Sequence, residues 1–270
     1  MIIGTRLPVL ERRRNSHALV SGLVSIRTER SVWNRLVKRG FDVTASGLLA
    51  IVAAPLILVL AIAVAITFRA WPFFTQTRVG KDGRTFRFIK LRTLPPHVPA
   101  YADKYSIRYV KVPKLAQILR ITHLDEIPQI FLVLTGRMSL VGPRPEMEIL
   151  HDQGDEHFAR LRTNVRPGCA GLWQVGEHRS GLIWEAPEYD VLYLRNQSFG
   201  LDLWILMRTA LYMLHLRPAV RFSDIPQRLV SWPDENARSR AADAVGRRSV
   251  DLRDFDAPTT AKPRPAVTAL

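Results

Sequence analysis

RITHLDEIPQIFLVLTGRMSLVGPRPEM, residues Arg120–Met147, carries the densest chemistry of the chain. Its apolar centre predicts a helix over Asp125–Thr135, closed by Gly136 just past the C-terminus. Pro128 fits a helix only within the first turn, which puts the helix start at the acid pair Asp125-Glu126. Arg120 precedes the pair and Arg144 follows the helix in a rigid Gly-Pro-Arg-Pro turn. The plain reading is that two acids offset a helix dipole, which suffices for an arbitrary Asp-Glu pair. The sharper reading is phosphate chemistry. One carboxylate attacks phosphorus or binds a metal while the other orients it, and nearby cations neutralise the phosphate. Arginine suits that task because its planar fork grips phosphate through two bonds. The turn then holds Arg144 at a fixed angle toward the acids.

Before this stretch, FFTQTRVGKDGRTFRFIKLRTL reads as a β-hairpin, Phe73–Val79 and Arg84–Ile89 about a Lys-Asp-Gly turn. It gathers Arg78, Arg84, Arg87 and Lys90, and Lys90 and Arg92 join the candidate phosphate ligands. A proline-rich loop follows at 95–99, then a short helix over Lys114–Arg120. Upstream, Val43–Phe68 contains no charge. As a helix it is about 39 Å long, against about 30 Å for a hydrocarbon core. A straight span is the first reading. Pro55 in its middle and basic residues on both flanks favour instead a helix that bends at Ala54-Pro55 and leaves on the side it entered, and the residues alone leave the two level. Residues 1–32 read as a mobile basic arm.

After the stretch, Pro145–Arg162 reads as a polar-faced helix and NVRPGCAGLWQVGEH as a glycine-rich loop region. Its amides, with Arg166, could approach a nucleotide diphosphate, whereas Trp173 reads as core sooner than as a base platform. Trp184–Asn196 and Leu201–Leu216 read as helices, the second either core or interfacial. From about residue 234 the composition predicts disorder.

A net charge of +15 over 270 residues points to anionic partners. The single cysteine, Cys169, excludes an internal disulfide. The histidines lack metal-ligand spacing, and neither a Walker A motif nor a nucleic-acid-binding motif is present.

Several motifs together give the chain a resemblance. KRGFD, FFTQTRVGKDGRTFRFIKLRT, LRITHLDEIPQ, MSLVGPRPEM, RPGCAGLWQV, YDVLYLRNQS and LDLWILMRT occur in one order from about Lys38 to about Arg217. In this the chain resembles the bacterial sugar transferases, the small monotopic polyprenyl-phosphate phosphoglycosyl transferases. The resemblance implies an α+β monotopic membrane protein. Its parts are a re-entrant helix (33–70, broken at Pro55), interfacial amphipathic helices, a small cytosolic α/β catalytic region (71–217) and an extension (218–270). It implies transfer of sugar-1-phosphate from a UDP-sugar to polyprenyl (undecaprenyl) phosphate, with release of UMP. The transfer would start exopolysaccharide or glycoconjugate assembly. By the same resemblance Asp125 is the nucleophile and Glu126 its assistant, both near Mg²⁺. Lys90, Arg120 and Arg144 handle phosphate, and Gln129 and Asp190 match supporting positions. The implied setting is the bacterial inner membrane, facing the cytoplasm. Its partners are anionic lipid and no nucleic acid, and a homodimer is allowed. The pattern departs from the family at Ala54, where serine is usual, at His123, also usually serine, and at Arg137, usually an acid. The alternative function is a catalytically weak membrane scaffold that binds polyprenyl phosphate or pathway partners.

Overall fold

The uncharged run lies inside one long helix, α1 (Val32–Phe68), with Pro55 in its interior. The computed structural model describes residues 32–101, 110–153, 156–179 and 181–231. The expectations for the arm before residue 32 and for the tail from about residue 234 lie outside the described residues. Pro55 has no N–H, so the carbonyl of Ile51, four residues back, loses its helical partner. Leu48, Ile51, Val52, Leu58, Val59, Ile62 and Ile66 of α1 face outward from the protein. In water that surface would be costly, and it suits a lipid solvent.

Both ends of α1 are tied to the same folded body. Near the start, Lys38 Nζ pairs with Asp202 at 2.5 Å. Arg39 donates to the carbonyls of Val133 (2.7 Å) and Leu134 (2.9 Å). Asp42 accepts the Leu140 amide at 3.0 Å and the Ser139 hydroxyl at 2.8 Å. Past the end, Arg92 donates its amide to Pro72 O (2.7 Å) and its Nε to Trp71 O (2.9 Å).

The hairpin forms as expected, from β1 (Phe73–Val79) and β2 (Thr85–Leu91), joined by a 3-10 turn at Lys81–Gly83. The strands are antiparallel, with Gln76 opposite Phe88 and Val79 opposite Thr85. A second pair, β3 (Ser139–Val141) and β4 (Gly168–Ala170), is parallel. Here glycine is required: a Cβ on Gly168 would come within 2.0 Å of the Gly142 nitrogen.

Helix α2 (Lys114–Ile121) matches its prediction to within a residue. The acid pair does not start an α-helix. Leu124–Gln129 is a 3-10 segment, and α3 covers only Ile130–Leu134. The Pro128 ring crowds the carbonyl four residues back, so the chain tightens, and Glu126 N bonds to His123 O three residues back. Gly136 closes α3 at φ 77°. The helix expected over Pro145–Arg162 is also shorter, as α4 (Glu148–Gln153) and α5 (Glu156–Thr163). Its first residues are used otherwise. Glu146 O accepts from Val79 N at 2.9 Å, and Met147 bridges to Arg78. Tertiary pairing with the hairpin edge thus outweighs local helix preference. The glycine-rich region contains β4 and the short α6 (Leu172–Val175).

Helix α7 (Pro187–Arg195) starts at its proline, and α8 (Phe199–Met213) is capped by Ser198, which accepts from Leu201 N at 3.2 Å. The core gathers Met138, Trp173, Tyr189, Tyr193, Leu201 and Ile205 around these elements. Val220, Phe222, Ile225 and Val230 are buried in it too, so the packed body continues past Arg217.

Candidate active site

Asp125 sits in the 3-10 segment with only 5% of its surface exposed. Lys90 reaches toward it from β2, Nζ to Oδ2 at 4.0 Å. The Lys90 ammonium also lies 5.5 Å from the Phe74 ring centroid. Burial raises the Asp125 carboxyl to about 6, with Lys90 opposing and Glu126 reinforcing the shift. Burial lowers Lys90 as well, opposed by Asp125. The segment therefore holds a desolvated carboxylate whose cationic partner is also desolvated, and both charges would welcome further partners.

Glu126 is in a different state. Arg144 grips it with two bonds, 2.7 Å to Oε1 and 3.3 Å to Oε2. Burial pushes this carboxyl up, yet Arg144 overrides it and holds Glu126 down at about 2. Two adjacent acids are thus split into a high and a low pKa by their neighbours, a pattern that separates chemical roles. Gln129 is 2% exposed beside Glu126. Its side-chain amide helps hold Glu126 ionised, though the contact falls short of good hydrogen-bond geometry.

Arg144 is held from behind. Arg162, from α5, donates to Arg144 O at 2.6 Å, to Glu146 at 2.9 Å and to Asp190 at 2.7 Å. Asp190 therefore supports the site at one remove, by fixing Arg162. Burial raises its carboxyl and Arg162 opposes the shift. Sequence reasoning missed Arg162, because nothing local marks a buried bridge between α5, α7 and the Gly-Pro-Arg-Pro turn.

It also left out Arg78 as a site residue, although the hairpin placed it among four cations. Burial lowers Arg78 to about 10, Arg144 adds to the shift, and Glu126 and Glu146 oppose it. Its Nη1 donates to Pro145 O at 3.1 Å, while its Nε has no partner. It forms no salt bridge among the described residues. A desolvated guanidinium with no carboxylate in salt-bridge contact suits a further anion.

Arg120 is exposed on the last turn of α2, within electrostatic reach of Asp125 and Lys90. Arg92 and Arg166 each spend a donor on a backbone carbonyl. Arg92 ties the α1–β1 junction through Trp71 O, and Arg166 donates to Gly136 O at 2.8 Å. Trp173 is 6% exposed and belongs to the core. Burial pushes the Cys169 thiol up to about 12, which disfavours the reactive thiolate.

Among the described residues no group of three or more His, Cys, Asp or Glu could hold a metal. A magnesium ion needs less, one or two carboxylates completed by phosphate oxygens. Asp125 fits that need, since its nearest cation stays 4.0 Å away. Both oxygens of Glu126 are engaged by Arg144.

The family model "Bacterial sugar transferase" matches residues 33–216. Among curated relatives, the UDP-glucose:undecaprenyl-phosphate glucose-1-phosphate transferase of Klebsiella pneumoniae is 37% identical over 188 residues, 65% of this chain and 40% of that protein. The N-acetylgalactosaminephosphotransferase of Aeromonas hydrophila, named for its UDP-N-acetylgalactosamine and undecaprenyl-phosphate substrates, is 36% identical over 185 residues, 64% and 42% of the two chains. The glucose-1-phosphate transferase of Caulobacter vibrioides is 39% identical over 189 residues, 64% of this chain and 68% of that protein. The chain thus spans about two-fifths of the length of the first two relatives and two-thirds of the third. The matched region contains all but the first residue of α1, the hairpin, the acid pair and the Arg144 turn, and with it the chain belongs to the bacterial sugar transferase family.

Proposed function

We propose that this chain transfers sugar-1-phosphate from a UDP-sugar to polyprenyl phosphate, as the opening step of exopolysaccharide or glycoconjugate assembly. The observation that carries the reading is the buried Asp125 opposite Lys90, with Arg144 and Arg78 behind Glu126. In the first step an Asp125 carboxylate oxygen attacks the phosphorus that bears the sugar. The bond to the other phosphate breaks, and UMP leaves with the electron pair. In the second step an oxygen of polyprenyl phosphate attacks the same phosphorus. The acyl-phosphate bond breaks, the lipid-linked diphosphosugar departs and Asp125 is restored. Lys90, Arg120 and Arg78 supply positive charge where phosphate oxygens gather, and Arg144 keeps Glu126 ionised and fixed. Bound Mg²⁺, held by Asp125 and substrate oxygens with Glu126 alongside, would offset the diphosphate charge.

We place the protein on the inner membrane with its site toward the cytoplasm, and read α1 as re-entrant. A straight helix of 37 residues is about 55 Å long, which would set its ends on opposite sides of a bilayer. Here Asp42 and the Trp71–Phe73 segment are both held by one body, so a return at Pro55 is the economical topology. Exposed Ile118 and Ile121 on α2 and Phe199, Leu203 and Met207 on α8 give interfacial surfaces where anionic lipid would meet a basic protein. The sugar is left open, since relatives at nearly the same identity are named for glucose and for N-acetylgalactosamine.

The test is UMP release by purified protein supplied with undecaprenyl phosphate, Mg²⁺ and a panel of UDP-sugars. The expected result is release with one or a few donors, dependent on lipid phosphate and lost in Asp125→Asn. Membrane-bound, folded protein that binds polyprenyl phosphate and releases no UMP from any donor would favour the scaffold.

A further inference from the structure

Lys90, Arg78, Arg120 and Arg144 are placed to meet oxygens that every UDP-sugar carries, so they cannot choose among sugars. Another cluster borders the acid pair and has no part in the transfer chemistry. His123 opens the 3-10 segment in a left-handed backbone conformation, φ 57° and ψ 16°. Histidine tolerates that region better than most side chains. The conformation sends its ring toward α8, where the Tyr212 ring centroid lies 6.3 Å away. Arg179, from the turn after α6, places its guanidinium carbon 4.1 Å from the Tyr212 centroid and donates to the Tyr212 hydroxyl. Glu126, Arg144, Arg179 and exposed His215 all lie within electrostatic reach of the His123 ring, which sets the cluster against the acid pair.

The cluster is built rather than incidental. The Arg179 turn is clamped by the strand-like pairing of Val175 and Glu177 with Val220, at 2.7 and 3.2 Å. Tyr189 adds a bond to Val220 O at 3.4 Å. The clamping residue lies beyond the family match, which ends at 216. His123, Arg179 and Tyr212 are each half-buried, so part of each remains open. Arg179 makes no salt bridge among the described residues, which leaves guanidinium donors unspent.

We infer that His123, Arg179 and Tyr212 form the subsite for the sugar ring of the donor and decide which UDP-hexose is accepted. This rests on the transfer reading above. A hexose presents a fan of hydroxyls that both donate and accept, beside an apolar C–H face. Imidazole nitrogens, a phenol and free guanidinium donors match the hydroxyls, and the ring edges match the C–H surface. A nucleobase fits less well. It wants an open aromatic face, whereas Arg179 covers Tyr212 and Trp173 is core.

The test is equilibrium binding by calorimetry to full-length protein in nanodiscs, in an Asp125→Asn background so that donors survive. The ligands are UDP-glucose, UDP-galactose, their N-acetylamino counterparts and UMP. His123→Asn keeps a residue suited to the left-handed backbone, and Tyr212→Phe keeps the ring. Each is expected to change the affinity ratio between the preferred and the next sugar by about ten-fold or more, with UMP affinity within about two-fold. An unchanged ratio, an equal loss for all donors, or weakened UMP binding would overturn the subsite. UDP-sugar binding without UMP release by the wild type would overturn the transfer reading alone. No binding of any UDP-sugar by either the Asp125→Asn protein or the wild type would overturn both.

Discussion

Asp125 is held where its charge is costly. Its pKa of about 6 lies above the ordinary carboxylate value because burial penalises the ionised form more than Lys90 relieves it. The folded protein therefore binds this proton more tightly than the unfolded chain. Below about pH 4 both states are protonated and the cost is absent; it grows through the window between about 4 and 6 and is complete above it. That elevation corresponds to about 3 kcal/mol at neutral pH. Asp125→Asn is thus expected to raise the thermal midpoint in detergent at pH 7.5, in metal-free buffer, and to raise it much less at pH 4. A lower midpoint at pH 7.5 would mean that Asp125 stabilises the fold. The same group predicts an acid limb in kcat/KM of the wild type near pH 6. Most of this was readable in advance at single residues. The acids, Lys90, Arg120 and Arg144 are close in sequence to turns and helix ends, and their chemistry is explicit. For Arg92 and Arg166, basic type alone did not reveal that each also ties down a backbone carbonyl.

At the scale of elements, the local periodic signals held and the tertiary ones did not. The hairpin, α2 and α8 follow from alternation and apolar spacing. The 3-10 form of the acid segment follows from Pro128 only once the His123 backbone is known. The start of α4 at Glu148 depends on pairing between Glu146, Met147 and the hairpin edge, which no local rule contains. The Arg162 bridge is of the same kind. It joins α5, α7 and the Arg144 turn with one guanidinium that serves three acceptors. A lysine there keeps the charge and cannot reproduce the fork. Arg162→Lys is expected to cost about 1–3 kcal/mol of stability. Transfer should fall at least ten-fold, mainly in kcat, as Arg144 loses its backing. Unchanged kcat in a folded Arg162→Lys protein would show that the Arg144 turn holds itself.

Across the whole molecule, α1 joins an exposed apolar surface to the folded body at both of its ends. Its N-terminal part is fixed by Lys38, Arg39 and Asp42, and its exit by Arg92. Single cysteines at Gly40 and Trp71, in a Cys169→Ala background, should both react with an impermeant thiol reagent from the cytoplasmic side of sealed vesicles. Reaction of the two from opposite sides would establish a crossing. On the proposed re-entrant topology the acid pair stays next to the bilayer surface, where the proposed lipid phosphate and nucleotide sugar would meet in turn. In the proposed two-step transfer the sugar phosphate waits on Asp125 between partners. Intact-mass spectrometry of the purified protein with the UDP-sugar it accepts, without polyprenyl phosphate, asks whether it does. The expected result is a mass increase equal to one phosphosugar, mapped to the peptide containing Asp125, absent in Asp125→Asn and discharged by added polyprenyl phosphate. Full transfer activity with no adduct under rapid quench, or an adduct that persists in Asp125→Asn, would contradict the covalent role of Asp125.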